Sequence, residues 1–183
     1  MLETKRLIFR MFTPDDLDGL DHIFSKPNVV RYLGLKGEPM SRAETEVALL
    51  SMIKHWQQHG YGRWAVVSKD DGKLIGCAGL RNYEGDAELV FLIDEPYWGR
   101  GIATEIALAC LNFGFEERKF KNILAFARPQ NAASRNVMRK IGMSFVLETV
   151  IFGVYVAQYE LSQQDYYDNR AVNPRNIEGK QCR

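Results

Sequence analysis

The alternation of apolar and polar residues along the chain predicts short strands separated by amphipathic helices. Strands repeat their apolar positions with a period of two, whereas helices repeat them every three or four residues. On this basis we predict strands over residues 6–11, 64–68, 74–80, 87–93, 122–127, 145–147 and 155–161. Residues 148–154 are predicted to form a hairpin turn and the beginning of the next strand, without sharper boundaries.

Capping residues set the expected helix boundaries. Thr13 followed by Pro14 predicts the start of a first helix, and Ser41 with Glu44 has the pattern of a capping box. Gly60 is a typical helix-ending residue, so the helix that Ser41 opens is expected to stop just before it. The other predicted helices cover residues 28–32, 103–117 and 132–140.

The order of these elements excludes a regular alternation of strands and helices. The strands over residues 64–68 and 74–80 are joined by a turn at residues 69–73, which predicts an antiparallel hairpin. The fold class is therefore a mixed α/β (α+β) sheet. Residues 1–163 are expected to form one domain, and the polar residues 164–183 a mobile C-terminal tail.

Composition and charge exclude several classes of function. The chain has 183 residues, of which 46% are hydrophobic and 26% charged, as in ordinary globular proteins. A formal net charge of +1 favours neither nucleic acid nor an anionic membrane as a partner. The N-terminus lacks a secretory signal, and no segment is apolar enough to span a bilayer. We therefore expect a cytoplasmic protein.

Neither the cysteines nor the histidines predict a metal site. Cys77, Cys110 and Cys182 are odd in number and widely spaced, which argues against a disulfide framework and a zinc site. His55 and His59 have a spacing that suits one helix face, but no third ligand accompanies them. No metal is expected.

The segment from Leu89 to Glu105 carries the most informative pattern in the chain. An apolar strand runs into a turn with Gly99 and Gly101, and a helix begins immediately afterwards. The start of a helix offers unpaired N–H groups and a partial positive charge, which suits a phosphate ligand. Glycines, and the small Ala103, let the main chain approach such an anion closely, and Thr104 adds a hydroxyl donor. The pattern predicts a site for a pyrophosphate held mainly by main-chain atoms.

Other phosphate-binding loops fit the segment less well. A glycine-rich turn before a helix also occurs without any ligand. A nicotinamide-dinucleotide site, as in an oxidoreductase, needs a third glycine near Glu105 and a βαβ unit around it, and the sequence has neither. A Walker loop is excluded because no Gly-Lys-Ser/Thr follows the glycines.

The loop resembles motif A of the GNAT acetyltransferases, Gln/Arg-x-x-Gly-x-Gly/Ala. The match runs Trp98-x-x-Gly101-x-Ala103, with Trp98 in place of the usual glutamine or arginine. Two further segments, residues 3–17 and residues 131–143, resemble the RimJ/RimL-like branch of that family. Three motifs in the family order are far more specific than the glycine loop alone.

The resemblance implies the GNAT fold, with a mixed, mostly antiparallel sheet of about six to seven strands flanked by about four helices. It also implies transfer of an acetyl group from acetyl-CoA to a primary amine, either a protein N-terminal α-amine or a small molecule. In the family, the strand before motif A splays from its neighbour and offers main-chain groups to the pantetheine arm. The implied cofactor-binding residues are Phe91, Leu92, Ile93, Gly99, Arg100, Gly101, Ile102, Ala103, Thr104, Asn131 and Ser134.

Two residues are candidates for the chemical step. Ser134 matches a family position proposed to contact the cofactor or to protonate the leaving thiolate, and its alternative is an exposed helical serine. Glu88, at the start of the strand that feeds the loop, is the leading candidate for the general base. Its alternative is a solvated glutamate at a strand end. Asp94 and Glu95 are assigned to the turn, and Asn131 has a second interpretation as a helix cap.

The motifs leave the acceptor open. They lie on the cofactor side, whereas the acceptor pocket is expected between residues 28–44 and the strands after Glu148. A non-catalytic acyl-CoA-binding module on the same fold is the alternative function, which the intact motif A disfavours. The expected partners are acetyl-CoA and an amine, and the sequence does not decide between a monomer and a homodimer.

Overall fold

A computed structural model of the protein describes residues 2–172. Within this range the strands are β1 (Leu2–Glu3), β2 (Leu7–Arg10), β3 (Arg63–Ser68), β4 (Leu74–Tyr83), β5 (Asp86–Ile93), β6 (Asn122–Ala127), β7 (Ser144–Ile151) and β8 (Val154–Ser162). The helices are α1 (Leu17–Phe24), α2 (Pro27–Val30), α3 (Arg42–His59), α4 (Ile102–Asn112), α5 (Ala132–Lys140) and α6 (Gln163–Val172).

The strands form one sheet in the order β1-β2-β3-β4-β5-β6-β8-β7. Neighbouring strands are antiparallel with one exception, the parallel pair β5 and β6, which the crossover through α4 connects. Those two strands are paired only at Ala87 with Ile123 and at Glu88 with Leu124. Beyond Glu88 the two strands diverge, which opens a cleft in the sheet. The mixed, mostly antiparallel sheet that the sequence predicts is confirmed.

Helices cover both faces of the sheet, and each face has its own core. Trp64 and Val66 of β3 point into the core that α4, α5 and α6 cover. Ala65, between them, packs with Leu20 of α1 and Leu49 of α3 on the opposite face. This alternation is the period of two that identified the strand in the sequence.

The predicted helix caps of α3 are confirmed. The Ser41 hydroxyl accepts a hydrogen bond from the Glu44 N–H, and the Glu44 carboxylate accepts one from the Ser41 N–H at 2.8 Å. Gly60 follows the helix with a left-handed φ of +67°, which favours glycine. Local hydrogen bonds decide these boundaries, and for that reason the sequence shows them.

The number of elements differs from the expectation. The described residues hold six α-helices and eight strands, rather than about four helices and six to seven strands. The two-residue strand β1 is too short for any periodicity to show, and β7 continues to Ile151, through residues that had been assigned to a turn. The predicted helix over residues 103–117 divides into α4 and a π-helical turn, Phe113–Glu117.

The expected tail is wrong for residues 164–172, which lie in α6. Tyr166 is 6% exposed and stacks on Phe115 with ring centroids 4.6 Å apart, and its hydroxyl donates to Asn112 Oδ1 at 2.8 Å. Arg170 pairs with Glu116 at 3.0 Å. The largely polar helix α6 is thus held to the domain by the buried ring of Tyr166 and by the Arg170–Glu116 ion pair. Residues 173–183 lie outside the described range, so their part of the expectation stays a prediction.

Across residues 2–172, none of the helices combines the length and the apolarity that crossing a lipid bilayer requires.

We predict that Tyr166→Ala lowers the free energy of unfolding by about 3 kcal/mol, because it removes a buried ring and leaves a cavity. Tyr167→Ala is the matched control, since its side chain is 39% exposed. It should cost less than about 1 kcal/mol. Urea denaturation of both variants measures the difference. If both variants lose the same small amount of unfolding free energy, α6 does not stabilise the domain.

Candidate active site

A cavity of about 1030 Å³ occupies the cleft where β5 and β6 diverge. Its walls come from the end of β5, the turn that follows it, the start of α4, the start of α5, the region of α2, and β8. Because the β5–β6 ladder ends at Glu88, the edge of β5 from Leu89 onward faces this cavity instead of a neighbouring strand. Phe91, Leu92 and Ile93 all line the cavity.

The glycine turn has a main-chain shape that suits an anion. Gly99 and Gly101 have left-handed φ angles of +74° and +75°, a conformation that is strained for residues with a Cβ. Gly101 is the N-cap of α4, so the N–H groups of Ile102, Ala103 and Thr104 have no partner in the preceding helical turn. These residues line the cavity together with both glycines. Donors and helix dipole therefore converge on one end of the cavity.

The N-terminal segment braces this turn from behind. Arg6 donates through Nη1 to the Arg100 carbonyl at 2.8 Å and through Nε to Glu105 Oε2 at 2.6 Å. Thr4 donates its hydroxyl to Glu105 Oε1 at 2.5 Å. Burial alone would raise the pKa of Glu105, but the hydrogen bonds from Thr4 and Arg6 outweigh it and lower the pKa below its ordinary value. The arginine thus compensates a carboxylate that lies in the first turn of α4.

Trp98, the departure from motif A, ties the turn to the end of β5. Its indole N–H donates to the Ile93 carbonyl at 2.7 Å, although the side chain is 49% exposed. Asp94, which the sequence analysis assigned to the turn, pairs with Lys26 at 2.6 Å and accepts from the Glu95 N–H. Both contacts hold the turn in place.

The start of α5 forms the facing wall. Asn131 is the helix cap, because its Oδ1 accepts from the Ser134 N–H at 3.1 Å. Asn131 and Ser134 both line the cavity, and Ser134 is partly buried. Arg100 is the one expected cofactor contact that does not line it. Its guanidinium carbon lies 5.8 Å from the centre of the Tyr97 ring.

Glu88 lies at the opposite end of the cavity from the glycine turn. It is 3% exposed, which excludes the interpretation as a solvated strand end, and it lines the cavity. Arg81 holds both carboxylate oxygens, with Nε–Oε2 at 2.5 Å and Nη2–Oε1 at 3.1 Å. The strand from Glu88 to Ile93 spans about 17 Å at roughly 3.4 Å per residue, so the two ends are well separated.

The sequence analysis missed the arginines that share the cavity with Glu88. Arg63 on β3, Arg81 on β4 and Arg128 after β6 all line it. Arg63 begins the largely apolar strand β3, and Arg81 lies within the largely apolar strand β4. A charge in a half-buried strand requires a partner. That is a usable signal, but the pairing of Arg81 with Glu88 depends on the strand register.

Main-chain groups occupy both ring nitrogens of His55 on α3. His55 bonds the Tyr61 carbonyl through Nδ1 at 2.8 Å and accepts from the Asn82 N–H through Nε2 at 3.0 Å. In the part of the chain that the structure describes, no group of three or more histidine, cysteine, aspartate or glutamate side chains is arranged to hold a metal ion.

Together these features form an elongated site with three parts. A helix start with free N–H groups suits a pyrophosphate, the open edge of β5 suits an extended amide-bearing arm, and a buried carboxylate lies beyond that arm. Such an arrangement can hold a phosphate-bearing thioester and bring its acyl carbon near a second substrate.

Comparison with known proteins agrees with this geometry. The family profile described as Acetyltransferase (GNAT) domain matches residues 6–144. An uncharacterized N-acetyltransferase of Bacillus subtilis, YoaA, is 31% identical over 146 residues, covering 78% of this chain and 81% of that protein. The uncharacterized protein YkkB of the same organism is 32% identical over 148 residues, covering 75% and 81%.

Solved structures share the fold. A GNAT-family acetyltransferase from Bacillus anthracis superposes with a TM-score of 0.78 at 23% identity, covering 89% of this chain and 98% of that one. A spermidine N-acetyltransferase from Vibrio cholerae in complex with CoA and spermine has a TM-score of 0.73 at 20% identity, with 88% and 98% covered. RimL, a ribosomal-protein α-N-acetyltransferase in complex with coenzyme A, has a TM-score of 0.74 at 17% identity, with 87% and 95% covered.

The sheet with its single parallel pair, the glycine turn at the start of α4 and the family match over most of the chain lead to one conclusion: the protein belongs to the GNAT family of acetyltransferases.

Proposed function

We propose that the protein moves the acetyl group of acetyl-CoA directly to a primary amine, in the manner of the RimJ/RimL-like branch. The observation that carries the proposal is the cleft between β5 and β6, which joins the free N–H groups of the α4 start to the buried Glu88. Coenzyme A in two structural neighbours supports the same ligand here.

The cavity residues fit acetyl-CoA in two places. The N–H groups of Gly101, Ile102 and Ala103 would hold the pyrophosphate, since their donors are unpaired and no side chain at Gly99 or Gly101 blocks the approach. The edge of β5 at Phe91 and Leu92 would pair with the amides of the pantetheine arm, as an added strand would. The Ile93 carbonyl already accepts from Trp98, so the remaining groups of this edge carry that role.

The reaction needs stabilisation of charge at two moments. When the amine attacks the thioester, a tetrahedral oxyanion forms, and a main-chain N–H on the open edge of β5 is placed to donate to it. One such donor is worth about 2.7–4 kcal/mol of barrier. When the intermediate collapses, coenzyme A leaves as a thiolate, and the Ser134 hydroxyl at the cavity wall is our candidate proton donor.

The attacking amine must first lose a proton. At about pH 7 this costs about 1 kcal/mol for an α-amine with a pKa near 8, and about 4–5 kcal/mol for a lysine with a pKa near 10.4. Glu88 is the one carboxylate among the described residues that line the cavity, so we propose it as the base. Because Arg81 holds both of its oxygens, the ammonium would approach from the cavity side, directly or through a water molecule.

Release of free thiol from acetyl-CoA, measured with α-amino peptides, amino acids, polyamines and aminoglycosides, tests the proposed function. We expect acetylation of at least one of these amines. Binding of acetyl-CoA without turnover of any amine would contradict the proposal and favour a non-catalytic acyl-CoA-binding module.

We predict that Gly101→Glu abolishes the stabilisation of the protein by acetyl-CoA, because it places a carboxylate where the pyrophosphate belongs. Gly101→Ala is the control, since it has the same backbone strain at φ +75° without the charge. Thermal unfolding with and without ligand measures the effect, which for wild type at a hundredfold excess over Kd is about 2.7 kcal/mol. A ligand-induced shift in Gly101→Glu as large as in wild type would place the cofactor elsewhere.

We predict that Glu88→Gln lowers kcat by a factor of about 10² to 10⁴, while acetyl-CoA still stabilises the variant as it does wild type. Glu84→Gln serves as the control, because Glu84 is exposed at the turn between β4 and β5. If Glu88→Gln and Glu84→Gln turn over alike, Glu88 is not the base.

We predict that Ser134→Ala reduces kcat at least about tenfold with little change in the affinity for acetyl-CoA, because the hydroxyl acts on the leaving thiolate. Steady-state kinetics and ligand-induced thermal shifts separate the two effects. Ser51→Ala, at an exposed position of α3, is the control. Parallel losses in kcat and affinity would assign Ser134 to cofactor binding alone.

A further inference from the structure

The charges that line the cavity are strongly unbalanced. Among the residues that the structure describes, Glu88 is the one acidic side chain of the lining. The basic ones are Arg31, Arg63, Arg81, Arg128 and Lys140. Cations near the glycine turn would suit the phosphates of coenzyme A. The cations that can indicate the charge of the acceptor are therefore those nearer Glu88.

The cations other than Arg63 have a partner among the described residues or are exposed to solvent. Arg81 is engaged by both oxygens of Glu88. Arg128 donates through Nη2 to the carbonyls of Gly34 and Leu35, at 2.6 and 2.8 Å. Arg31 is exposed and lies 4.8 Å above the Tyr32 ring. Arg81 is therefore ion-paired, and Arg31 and Lys140 are exposed to solvent. Arg128 is bound to two main-chain carbonyls, although its buried Nε has no hydrogen-bond partner among the described residues.

Arg63 differs from them. Its guanidinium forms no hydrogen bond and no ion pair with any residue between positions 2 and 172, yet the residue is partly buried on a strand whose next residues are core. Burial lowers the pKa of Arg63 below the ordinary value of arginine, although the charge of Glu88 acts in the opposite direction. Arginine nevertheless stays protonated in proteins. Because Arg63 lines the cavity, an anionic ligand in the cavity could neutralise its charge.

The strand register places Arg63 away from the cofactor channel. Arg63 lies opposite Gly79, and Gly79 lies opposite Val90 of β5, so β3 and β6 are on opposite sides of β5. Two strand spacings separate β3 from β5, about 10 Å. Arg63 and Glu88 share the sheet face that α1 and α3 cover, since Ala65 and Leu92 of the same two strands pack in that core. An anion at Arg63 therefore belongs to the acceptor.

We infer that the acceptor is a small primary amine that carries an anionic group, with Arg63 binding that group and Glu88 facing the ammonium. This inference rests on the proposed function. A guanidinium recognises carboxylate and phosphonate through the same paired N–H donors, and either one would neutralise Arg63. Polyamines and aminoglycosides bring several positive charges to a cavity end that has two arginines and one carboxylate, so they are disfavoured.

Matched acceptors test the inference on the wild-type enzyme. An amino acid, its carboxamide, its decarboxylated amine and its phosphonate analogue present the same amine with and without the negative charge. We expect kcat/KM to be about ten- to a hundredfold higher for the two anionic members, as for a hydrogen bond to a charged group. The ratio between carboxylate and phosphonate then identifies the anion. A preference for the neutral members, or for spermidine, overturns the inference.

Arg63→Met tests the residue, because methionine keeps the apolar stem and removes the charge. We expect KM for the anionic acceptor to rise at least about tenfold, with kcat/KM for its neutral counterpart unchanged within about twofold. Arg63→Lys should restore part of the preference. Arg42→Met is the matched control, because Arg42 lies outside the cavity lining with a side chain that is 57% exposed. Acetyl-CoA should stabilise all three variants as it does wild type.

The outcomes separate this inference from the proposed function. An unchanged preference for anionic acceptors in Arg63→Met removes Arg63 from the acceptor site. If Arg63→Met does not fold, an undiminished preference in Arg63→Lys, whose ammonium cannot bind the anion in bidentate fashion, has the same meaning. Turnover of neutral amines or polyamines without any anionic preference overturns the inference and leaves the acetyltransferase proposal standing. Failure to turn over any amine overturns the proposal itself.

Discussion

The site depends on one constraint, the end of pairing between β5 and β6 after Glu88. A parallel pair that separates leaves main-chain donors and acceptors without partners, which would be costly inside a protein. Here the separation opens a cavity instead of a buried gap, so these groups remain available to a ligand. The crossover through α4 then returns the chain with its free helix N–H groups at the mouth of the same cavity. Cleft and anion site are thus products of one strand-helix-strand connection.

The glycine turn depends on support from outside the motif. Left-handed glycines are flexible in isolation, so their shape must be held by neighbours. Arg6 provides this through the Arg100 carbonyl and Glu105, and Trp98 through the Ile93 carbonyl. Arg6 belongs to residues 3–17, a segment that is distant in sequence from motif A but contacts it in the fold. The same need for support also accounts for Trp98, whose indole N–H makes a contact that strengthens the turn.

Much of the fold was readable from the sequence where local physics decides it. The Ser41 cap, the Gly60 stop and the strands with a period of two depend on neighbours within a few residues. The elements that the sequence analysis did not predict, α6 and β1, have another cause. Helix α6 is polar along most of its length and is held by Tyr166 against Phe115, a contact between positions far apart in the chain. Likewise, β1 is defined only by its pairing with β2. Such elements depend on tertiary contacts that no window of sequence contains.

The same distinction separates the two ends of the site. The proposed cofactor end offers main-chain groups, and a main chain that must take unusual angles is marked in the sequence by glycine. The proposed acceptor end is lined by side chains that β3, β4 and β5 bring together. Nothing in the sequence alone sets Arg63 near Glu88 or pairs Glu88 with Arg81. A family can therefore keep one cofactor site while its acceptors diverge, because a single residue on a neighbouring strand changes the charge that the acceptor meets. We propose Arg63 as such a position, since it lines the cavity and its guanidinium forms no hydrogen bond or ion pair with the described residues.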